Sequence, residues 1–205
     1  MADKSKLYEL VKTFNKAAIE VCEGQQYDIN FETRDDVQID EYLKMIELKT
    51  SVLLAGGMKM GAIIAGASPE EQEHVYQFGR NVGIAFQLQD DYLDSFGDPE
   101  KFGKKVGGDI AQNKKTYLIL KALERADDET KKTLIQHMSS TPKDEVRKIA
   151  EVKAILRDLD IPKLTFELKN QYQNTAFRHL DAIQVLDERK QPLVDIANAL
   201  LIREI

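Results

Sequence analysis

Apolar residues recur at steps of three and four along nearly the whole chain, and this spacing most restricts the possible folds. Such steps place side chains on one face of an α-helix. No segment alternates apolar and polar residues in the manner of a half-buried strand. The sequence therefore predicts an all-α fold, a helical bundle that forms a single domain over residues 1–205. The N-terminal stretch shows the spacing at Leu7, Leu10, Val11, Phe14, Ala17, Ala18 and Val21.

Capping residues predict where one long helix begins. Ser68 suits the N-cap, Pro69 suits the first turn, and Glu71 completes a capping box. Because no proline follows inside it, this helix can continue to Phe96, which gives a length of roughly 42 Å. Other helices are predicted over about residues 4–28 and 39–65, and from Asp109 or Gln112 to about residue 126.

Composition restricts the partners and the compartment. The net charge of −6 without an evident basic face argues against nucleic acid as a partner. No run of eighteen apolar residues is present, so we expect no membrane span. Cys22 is the only cysteine, which leaves neither a disulfide framework nor a cysteine-based zinc site. These features predict a cytoplasmic protein.

Asp90, Asp91 and Asp94 form the most informative motif, late in the long predicted helix. Their spacing of i, i+1 and i+4 places all three carboxylates within roughly 100° of arc. Acidic groups on helices commonly form a solvated face, and that alternative applies here too. Carboxylates this close repel one another unless a cation lies among them, and Mg²⁺ is the divalent ion that prefers such oxygen ligands.

The neighbouring sequence favours the metal interpretation over the solvated face. The residues before Asp90 are too apolar for a free surface, and a Gly-rich segment with four lysines follows the acids. Carboxylates that hold Mg²⁺, with lysines that neutralise the remaining charge, suit a diphosphate ligand. The four lysines are Lys104, Lys105, Lys114 and Lys115.

Three further positions are candidates for the same site. Lys49 precedes Thr50 in an otherwise apolar segment; its amine either reaches solvent or binds an anion with Thr50 as hydroxyl partner. Gln87 lies one turn before Asp90, and a buried amide there needs a partner. Asp28 follows Gly24 at the end of the first predicted helix, where the alternative is a plain helix end.

Together these motifs resemble the trans-prenyltransferase family, also called polyprenyl synthetases, which includes farnesyl and geranylgeranyl diphosphate synthases. The resemblance extends from about residue 7 to residue 118 and continues more weakly to the end. The quoted segments correspond to the family's second aspartate-rich motif, its trailing lysines and two further motifs, in the correct order. They are Phe86-Gln87-Leu88-Gln89-Asp90-Asp91-Tyr92-Leu93-Asp94, Gly103-Lys104, Gly108-Asp109-Ile110, Asn113-Lys114-Lys115-Thr116, Lys49-Thr50 and Gly24-Gln25-Gln26-Tyr27-Asp28.

The resemblance implies a Mg²⁺-dependent condensation of an allylic prenyl diphosphate with isopentenyl diphosphate. By position, it assigns the metal to three aspartates and the substrate diphosphate to two lysines, with Asp28 lining the same pocket. It also assigns catalytic roles near the developing positive charge to residues of two helices. The metal ligands are Asp90, Asp91 and Asp94; the diphosphate-binding residues are Lys104, Lys114 and Asp28; the catalytic residues are Lys49, Thr50 and Gln87.

One departure from the family pattern bears on activity. The family's first aspartate-rich motif and its basic residues for isopentenyl diphosphate are absent from these 205 residues. We therefore expect the C-terminal portion of a synthase, inactive alone, with uncovered apolar faces that favour a homo-oligomer. The alternatives are a non-catalytic subunit of a heteromeric synthase and a protein similar to class I terpene cyclases.

Overall fold

The computed structural model describes residues 4–98, 106–139 and 144–201, and within these ranges the chain is helical with no strand. The all-α fold predicted from apolar periodicity is therefore confirmed. Ten α-helices occupy the described residues, and the π-helical turn Glu47–Ser51 joins the second to the third. They are α1 Lys4–Phe31, α2 Ile39–Ile46, α3 Val52–Ala65, α4 Pro69–Phe96, α5 Gly108–Ala111, α6 Tyr117–Arg125, α7 Asp128–Ser139, α8 Glu145–Asp158, α9 Ile161–Ala182 and α10 Asp187–Leu201.

Helix α4 begins and ends where the sequence predicts. Ser68 and Glu71 form the expected capping box, in which the Ser68 backbone N–H donates to Glu71 Oε2 at 2.9 Å. The Glu71 backbone N–H donates in return to Ser68 Oγ at 3.3 Å. These bonds satisfy donors that the first turn of a helix leaves without backbone partners.

The helical stretch from Ile39 to Ala65 also has the predicted ends, but it is not regular. Over Glu47–Ser51 the backbone widens into a π-helical turn, and the Val52 N–H donates to the Glu47 carbonyl. Single π-helical turns inside α-helices occur frequently at functional sites. This turn contains Lys49 and Thr50.

The helix predicted from Asp109 or Gln112 to residue 126 is wrong in its course. The chain forms the short helix α5, breaks over residues 112–116, and starts again as α6. Asn113 lies inside this break with a left-handed backbone angle φ of 58°. A right-handed helix cannot pass through that conformation, although asparagine tolerates it better than most residues.

The chain divides into two compact units. Unit 1 comprises residues 1–28, 44–87 and 169–203, and unit 2 comprises residues 29–43, 88–168 and 204–205. Unit 1 has a core of α4, α9 and α10 that buries Phe78, Val82 and Leu180. Unit 2 has a core of α5 to α9 around Leu118 and Leu156. The single domain predicted over residues 1–205 stays a prediction.

One stretch of the described chain, Ile39–Ala65, has the length and apolar composition that a membrane span needs. Core helices of soluble proteins meet the same criterion, so this match is weak evidence. The expectation that the chain has no membrane span stays a prediction.

Candidate active site

Unit 1 brings four of the predicted site residues into two polar contacts. Lys49 Nζ donates to Asp28 Oδ2 at 2.6 Å, and both side chains are partly exposed. Thr50 Oγ1 donates to Gln87 Oε1 at 3.3 Å. Lys49 therefore does not simply extend into solvent, because it forms an ion pair with the aspartate that ends the Gly24 motif.

Close backbone packing holds the π-helical turn in unit 1. A Cβ at Gly24 on α1 would lie 2.3 Å from the Lys49 backbone nitrogen. A Cβ at Gly83 on α4 would lie 2.7 Å from the Ser51 Cα. Since neither position has room for a side chain, the two glycines let α1 and α4 approach the turn directly. This approach fixes the backbone on which Lys49 and Thr50 stand.

A second ion pair lies at the start of the same turn. Arg80 on α4 donates from Nη2 to Glu47 Oε2 at 2.6 Å, and Lys44 lies 3.5 Å from the other oxygen. The Arg80 guanidinium and the Lys44 ammonium lower the pKa of Glu47 against the opposing effect of burial. The turn is thus tied to α4 by a charged contact in addition to its backbone packing.

In unit 2, Asp91 is a buried carboxylate with a tyrosine partner. Its side chain accepts a hydrogen bond from the hydroxyl of Tyr42, and the two residues are only 6% and 1% exposed. Burial, together with the Asp91 charge, raises the pKa of the Tyr42 hydroxyl well above its usual value. The hydroxyl therefore stays protonated and remains a donor to Asp91.

Asp94 is joined to the start of α5 by two hydrogen bonds. The Asp109 backbone N–H donates to Asp94 Oδ2 at 2.9 Å. The Gly107 backbone N–H donates to the Asp94 carbonyl at 2.5 Å. The carboxylate of Asp109 in turn accepts from Lys114 Nζ at 2.6 Å. Residues 107–114 thus bring a fourth carboxylate and a predicted diphosphate ligand close to Asp94.

Electrostatics around Asp94 favour an added cation. Burial raises the pKa of the Asp94 carboxyl, and the nearby charges of Asp109 and Asp90 raise it further. The Asp109 N–H and the Lys114 ammonium oppose these effects without cancelling them. A carboxylate destabilised by burial and by like charges is stabilised when a positive ion binds among them.

The donor set suits Mg²⁺, although no three acidic, histidine or cysteine side chains within the described ranges converge on one point to enclose a metal. Mg²⁺ in phosphate-binding sites is commonly held by one or two carboxylates, and water and phosphate oxygens complete its shell. Asp90 and Asp94 provide hard oxygen ligands of this type. We conclude that the residues present fit a Mg²⁺ ion shared with a phosphate ligand.

Three lysines of the predicted segment remain to be placed. Lys104 and Lys105 lie outside the described residues. Lys115, the fourth lysine of the predicted segment, donates to the Phe31 carbonyl at 2.8 Å. This contact uses the Lys115 ammonium to hold the C-terminal end of α1, whereas the Lys114 ammonium donates to Asp109.

Sequence reasoning gave no separate role to two residues that the structure places beside the aspartates. Tyr42 fits the apolar periodicity of its helix, and that pattern gives no sign that its hydroxyl has a polar partner. Asp109 belongs to the quoted Gly108-Asp109-Ile110 motif, and its acidic side chain shortly before Lys114 was the available signal. Its contact with Asp94 joins residues that are 15 positions apart, and spacing alone does not reveal it.

Comparison with known proteins decides the family. The profile of the polyprenyl synthetase family matches residues 1–156. The chain belongs to the polyprenyl synthetase family. The match is to synthetases, which favours the synthase interpretation over a terpene cyclase. The family resemblance predicted from the aspartate and lysine motifs is thereby confirmed.

Individual polyprenyl synthetases show the same relationship. A short chain isoprenyl diphosphate synthase of Methanothermobacter thermautotrophicus is 36% identical over 202 residues, which cover 98% of this chain and 61% of the relative. The crystal structure of a geranylgeranyl pyrophosphate synthase is 45% identical in sequence, with a TM-score of 0.91. The similarity covers 99% of this chain and 63% of that protein's chain. The chain thus spans about three fifths of the length of these relatives.

One solved structure was determined with ligands. The geranylgeranyl pyrophosphate synthase of Corynebacterium glutamicum, complexed with isoprenyl diphosphate and magnesium, is 28% identical with a TM-score of 0.89. The similarity covers 99% of this chain and 57% of that protein. A protein of the same fold therefore binds both the metal and the class of ligand that the aspartates and lysines predict.

Proposed function

We propose that this chain serves isoprenoid biosynthesis, in the Mg²⁺-dependent condensation of an allylic prenyl diphosphate with isopentenyl diphosphate. Membership of the polyprenyl synthetase family supports the reaction class. The observation that carries the proposal is the environment of Asp94, whose carboxyl group is influenced by the nearby charges of Asp109, Asp90 and Lys114. Such a set of charges can bind a divalent cation and an anion together.

The unit 2 residues would hold the diphosphate end of the substrate. Asp90 would be the principal metal ligand, and Asp91 and Asp94 would contribute oxygen atoms directly or through water. Bound Mg²⁺ neutralises the charge of a diphosphate and so makes it a better leaving group. Lys114 and Lys104 would donate to diphosphate oxygens, because an ammonium is a compact charge that suits phosphate.

The unit 1 residues would act where positive charge develops on the substrate. In our proposal the Thr50 hydroxyl oxygen and the Lys49 carbonyl oxygen stabilise that charge electrostatically. Gln87 would orient Thr50, as its 3.3 Å contact with that hydroxyl suggests. Asp28 would act through its ion pair with Lys49, since a carboxylate repels a diphosphate unless a cation separates them.

The ligand-binding part of the proposal can be tested without turnover. The purified chain would be titrated with inorganic diphosphate, with and without Mg²⁺, by isothermal calorimetry and ³¹P NMR. We expect binding that requires Mg²⁺ and disappears with a chelator. Binding of equal strength in the presence of the chelator would contradict the metal-dependent site.

The reaction itself requires a separate assay. An allylic diphosphate and radiolabelled isopentenyl diphosphate would be incubated with the chain, and the extended product measured. The absence of turnover by these 205 residues alone stays our prediction from the sequence. Product formation would contradict that prediction and would establish the condensation directly.

We further propose that the chain self-associates through α1. Between residues 7 and 19 this helix exposes five large apolar side chains, each 48% or more accessible: Leu7, Tyr8, Val11, Phe14 and Ile19. A contiguous apolar surface of this kind favours contact with another protein surface. Analytical ultracentrifugation over a range of concentrations tests the proposal, and a monomer at the highest concentration would refute it.

A further inference from the structure

Lys148 on α8 is a buried lysine that lies far along the chain from the aspartate motif. It is only 2% exposed. Because lysines are rarely buried without a partner, its contacts identify what its ammonium group binds. Its ammonium donates to the side-chain oxygen of Asn113 and lies 3.5 Å from the Ala111 carbonyl. Burial lowers the pKa of Lys148. These contacts offset part of the unfavourable burial; one lies at the last residue of α5 and the other lies within the break between α5 and α6.

That break presents Lys114 to Asp109. Asn113 has the left-handed φ of 58°, which turns the backbone out of α5 directly before Lys114. The Lys114 backbone N–H donates to the Asp109 carbonyl at 2.9 Å, and the Lys114 ammonium donates to the Asp109 carboxylate at 2.6 Å. Lys148 therefore binds the side chain of Asn113, the residue directly before Lys114 of the proposed diphosphate site.

A second contact from α8 reaches the other end of the same segment. Gly107 has a φ of +91°, and a Cβ there would lie 2.6 Å from Ile149 Cγ2. The Gly107 N–H also donates to the Asp94 carbonyl at 2.5 Å. Two consecutive residues of α8, Lys148 and Ile149, thus contact both ends of the segment that contains Asp109.

We propose that Lys148 is a positioning residue, which holds residues 111–114 so that Asp109 and Lys114 face Asp94. The inference rests on the proposed function for the identity of the ligand that Lys114 binds, namely a Mg²⁺-diphosphate. Lys148 does not touch this ligand in the proposal. It acts through the Asn113 side chain and the Ala111 carbonyl, as residues behind a metal site commonly act on the residues that contact the ligand.

Lys148→Met tests the proposal, because methionine fills the space of the lysine stem without donating a hydrogen bond. We expect the affinity for Mg²⁺ and inorganic diphosphate, measured by isothermal calorimetry, to fall on the order of tenfold. Lys148→Arg restores a charged donor and should recover part of that loss. The matched control is Lys169→Met, since Lys169 is also buried, at 8% exposed, and donates to Gln173 in its own helix.

Amide hydrogen exchange gives a second readout that does not require a ligand. The backbone amides of Gly107, Ala111, Gln112, Asn113 and Lys114 all donate hydrogen bonds within unit 2. We expect these amides to exchange faster in Lys148→Met and at the wild-type rate in Lys169→Met. Unchanged exchange in Lys148→Met would overturn the positioning role, even if the affinity fell through general destabilisation.

The two readouts separate this inference from the proposed function. If the wild-type chain binds no Mg²⁺-diphosphate, the proposed function fails and the exchange measurement alone decides the role of Lys148. If wild type binds and Lys114→Met abolishes binding, an unchanged affinity in Lys148→Met overturns the inference and leaves the proposed function intact. Non-additive affinity losses in Lys148→Met combined with Asn113→Gly would support action through the Asn113 side chain.

Discussion

The two units differ in how the charges of their candidate site residues are paired. Unit 1 joins opposite charges: Lys49 pairs with Asp28 at 2.6 Å, and Glu47 pairs with Arg80 at 2.6 Å and with Lys44 at 3.5 Å. Unit 2 gathers like charges, because Asp90 and Asp109 both raise the pKa of Asp94. The first arrangement is complete without a ligand, whereas the second becomes more stable when a cation binds. This difference in charge pairing is the reason that we propose a metal for the unit 2 residues and not for those of unit 1.

Removal of one carboxylate from the unit 2 group should have the largest effect. Asp90→Asn keeps the size of the side chain but removes the charge of the principal proposed ligand. We expect the affinity for Mg²⁺-diphosphate to fall roughly hundredfold, or about 3 kcal/mol. Asp158→Asn, an exposed charge change on α8, is the matched control and should leave the affinity unchanged. If Asp90→Asn and wild type bound Mg²⁺-diphosphate with equal affinity, the proposal that the clustered carboxylates of unit 2 bind a cation would be wrong.

Insertion of a methyl group against the π-helical turn should have the next largest effect, on stability. In Gly24→Ala the new Cβ would lie 2.3 Å from the Lys49 backbone nitrogen, which cannot move without shifting the turn. We expect the free energy of unfolding, measured by urea denaturation, to fall by about 2 to 3 kcal/mol.

Gly57→Ala is the matched control for that change. Gly57 lies on α3 in the same unit, and a Cβ there meets nothing within 4 Å. Because alanine is a better helix former, we expect a gain of about 0.5 to 1 kcal/mol. A loss in Gly57→Ala equal to that in Gly24→Ala would show that the close approach of α1 to the turn is not the cause.

Removal of the Tyr42 hydroxyl, which donates to Asp91, should have a smaller effect in unit 2. Tyr42→Phe deletes the hydroxyl that donates to the buried Asp91 carboxylate and leaves that group with fewer donors. We expect a loss of about 2 kcal/mol in the free energy of unfolding. Tyr92→Phe makes the same chemical change in a ring that packs on Phe166 and should cost well under half as much. Similar losses in both variants would show that the hydrogen bond to Asp91 adds nothing specific to the free energy of unfolding.

These tests concentrate on contacts that the sequence could not reveal. The ends of α4 follow from local chemistry, since a capping box needs only Ser68 and Glu71, and the prediction of both ends is confirmed. The break at Asn113 was missed because its partner Lys148 lies 35 residues further along the chain. The role of Tyr42 does not follow from the sequence, because its hydroxyl contacts Asp91 49 residues away while its ring fits helical periodicity.

Motif spacing predicts which residues share a face of a helix, but it does not predict the environment of each residue. The i, i+1 and i+4 spacing places Asp90, Asp91 and Asp94 on one helical face, yet their surroundings differ. Asp91 is buried against Tyr42, and Asp94 accepts from the backbone of α5. Spacing along one helix does not predict which residues of other helices contact that face. The metal roles of these three residues therefore stay predictions, with Asp90→Asn as their first test.

The smallest expected effect concerns two neighbouring histidines in unit 1. They test whether groups of the same kind lie close together there without binding a ligand. His74 and His179 join α4 to α9 through their Nδ1 atoms at 3.1 Å, a contact in which only one nitrogen can donate. Burial lowers the pKa of His179, and His74 and Arg178 lower it further against the opposing charge of Glu73. A lowered pKa means that the folded state binds fewer protons, so stability is complete above pH 6.5 and declines as the pH falls below it. Urea denaturation between pH 5 and pH 8 should show this slope in wild type and a flatter one in His179→Gln and in His74→Gln. An unchanged slope in both variants would exclude the pair as its source.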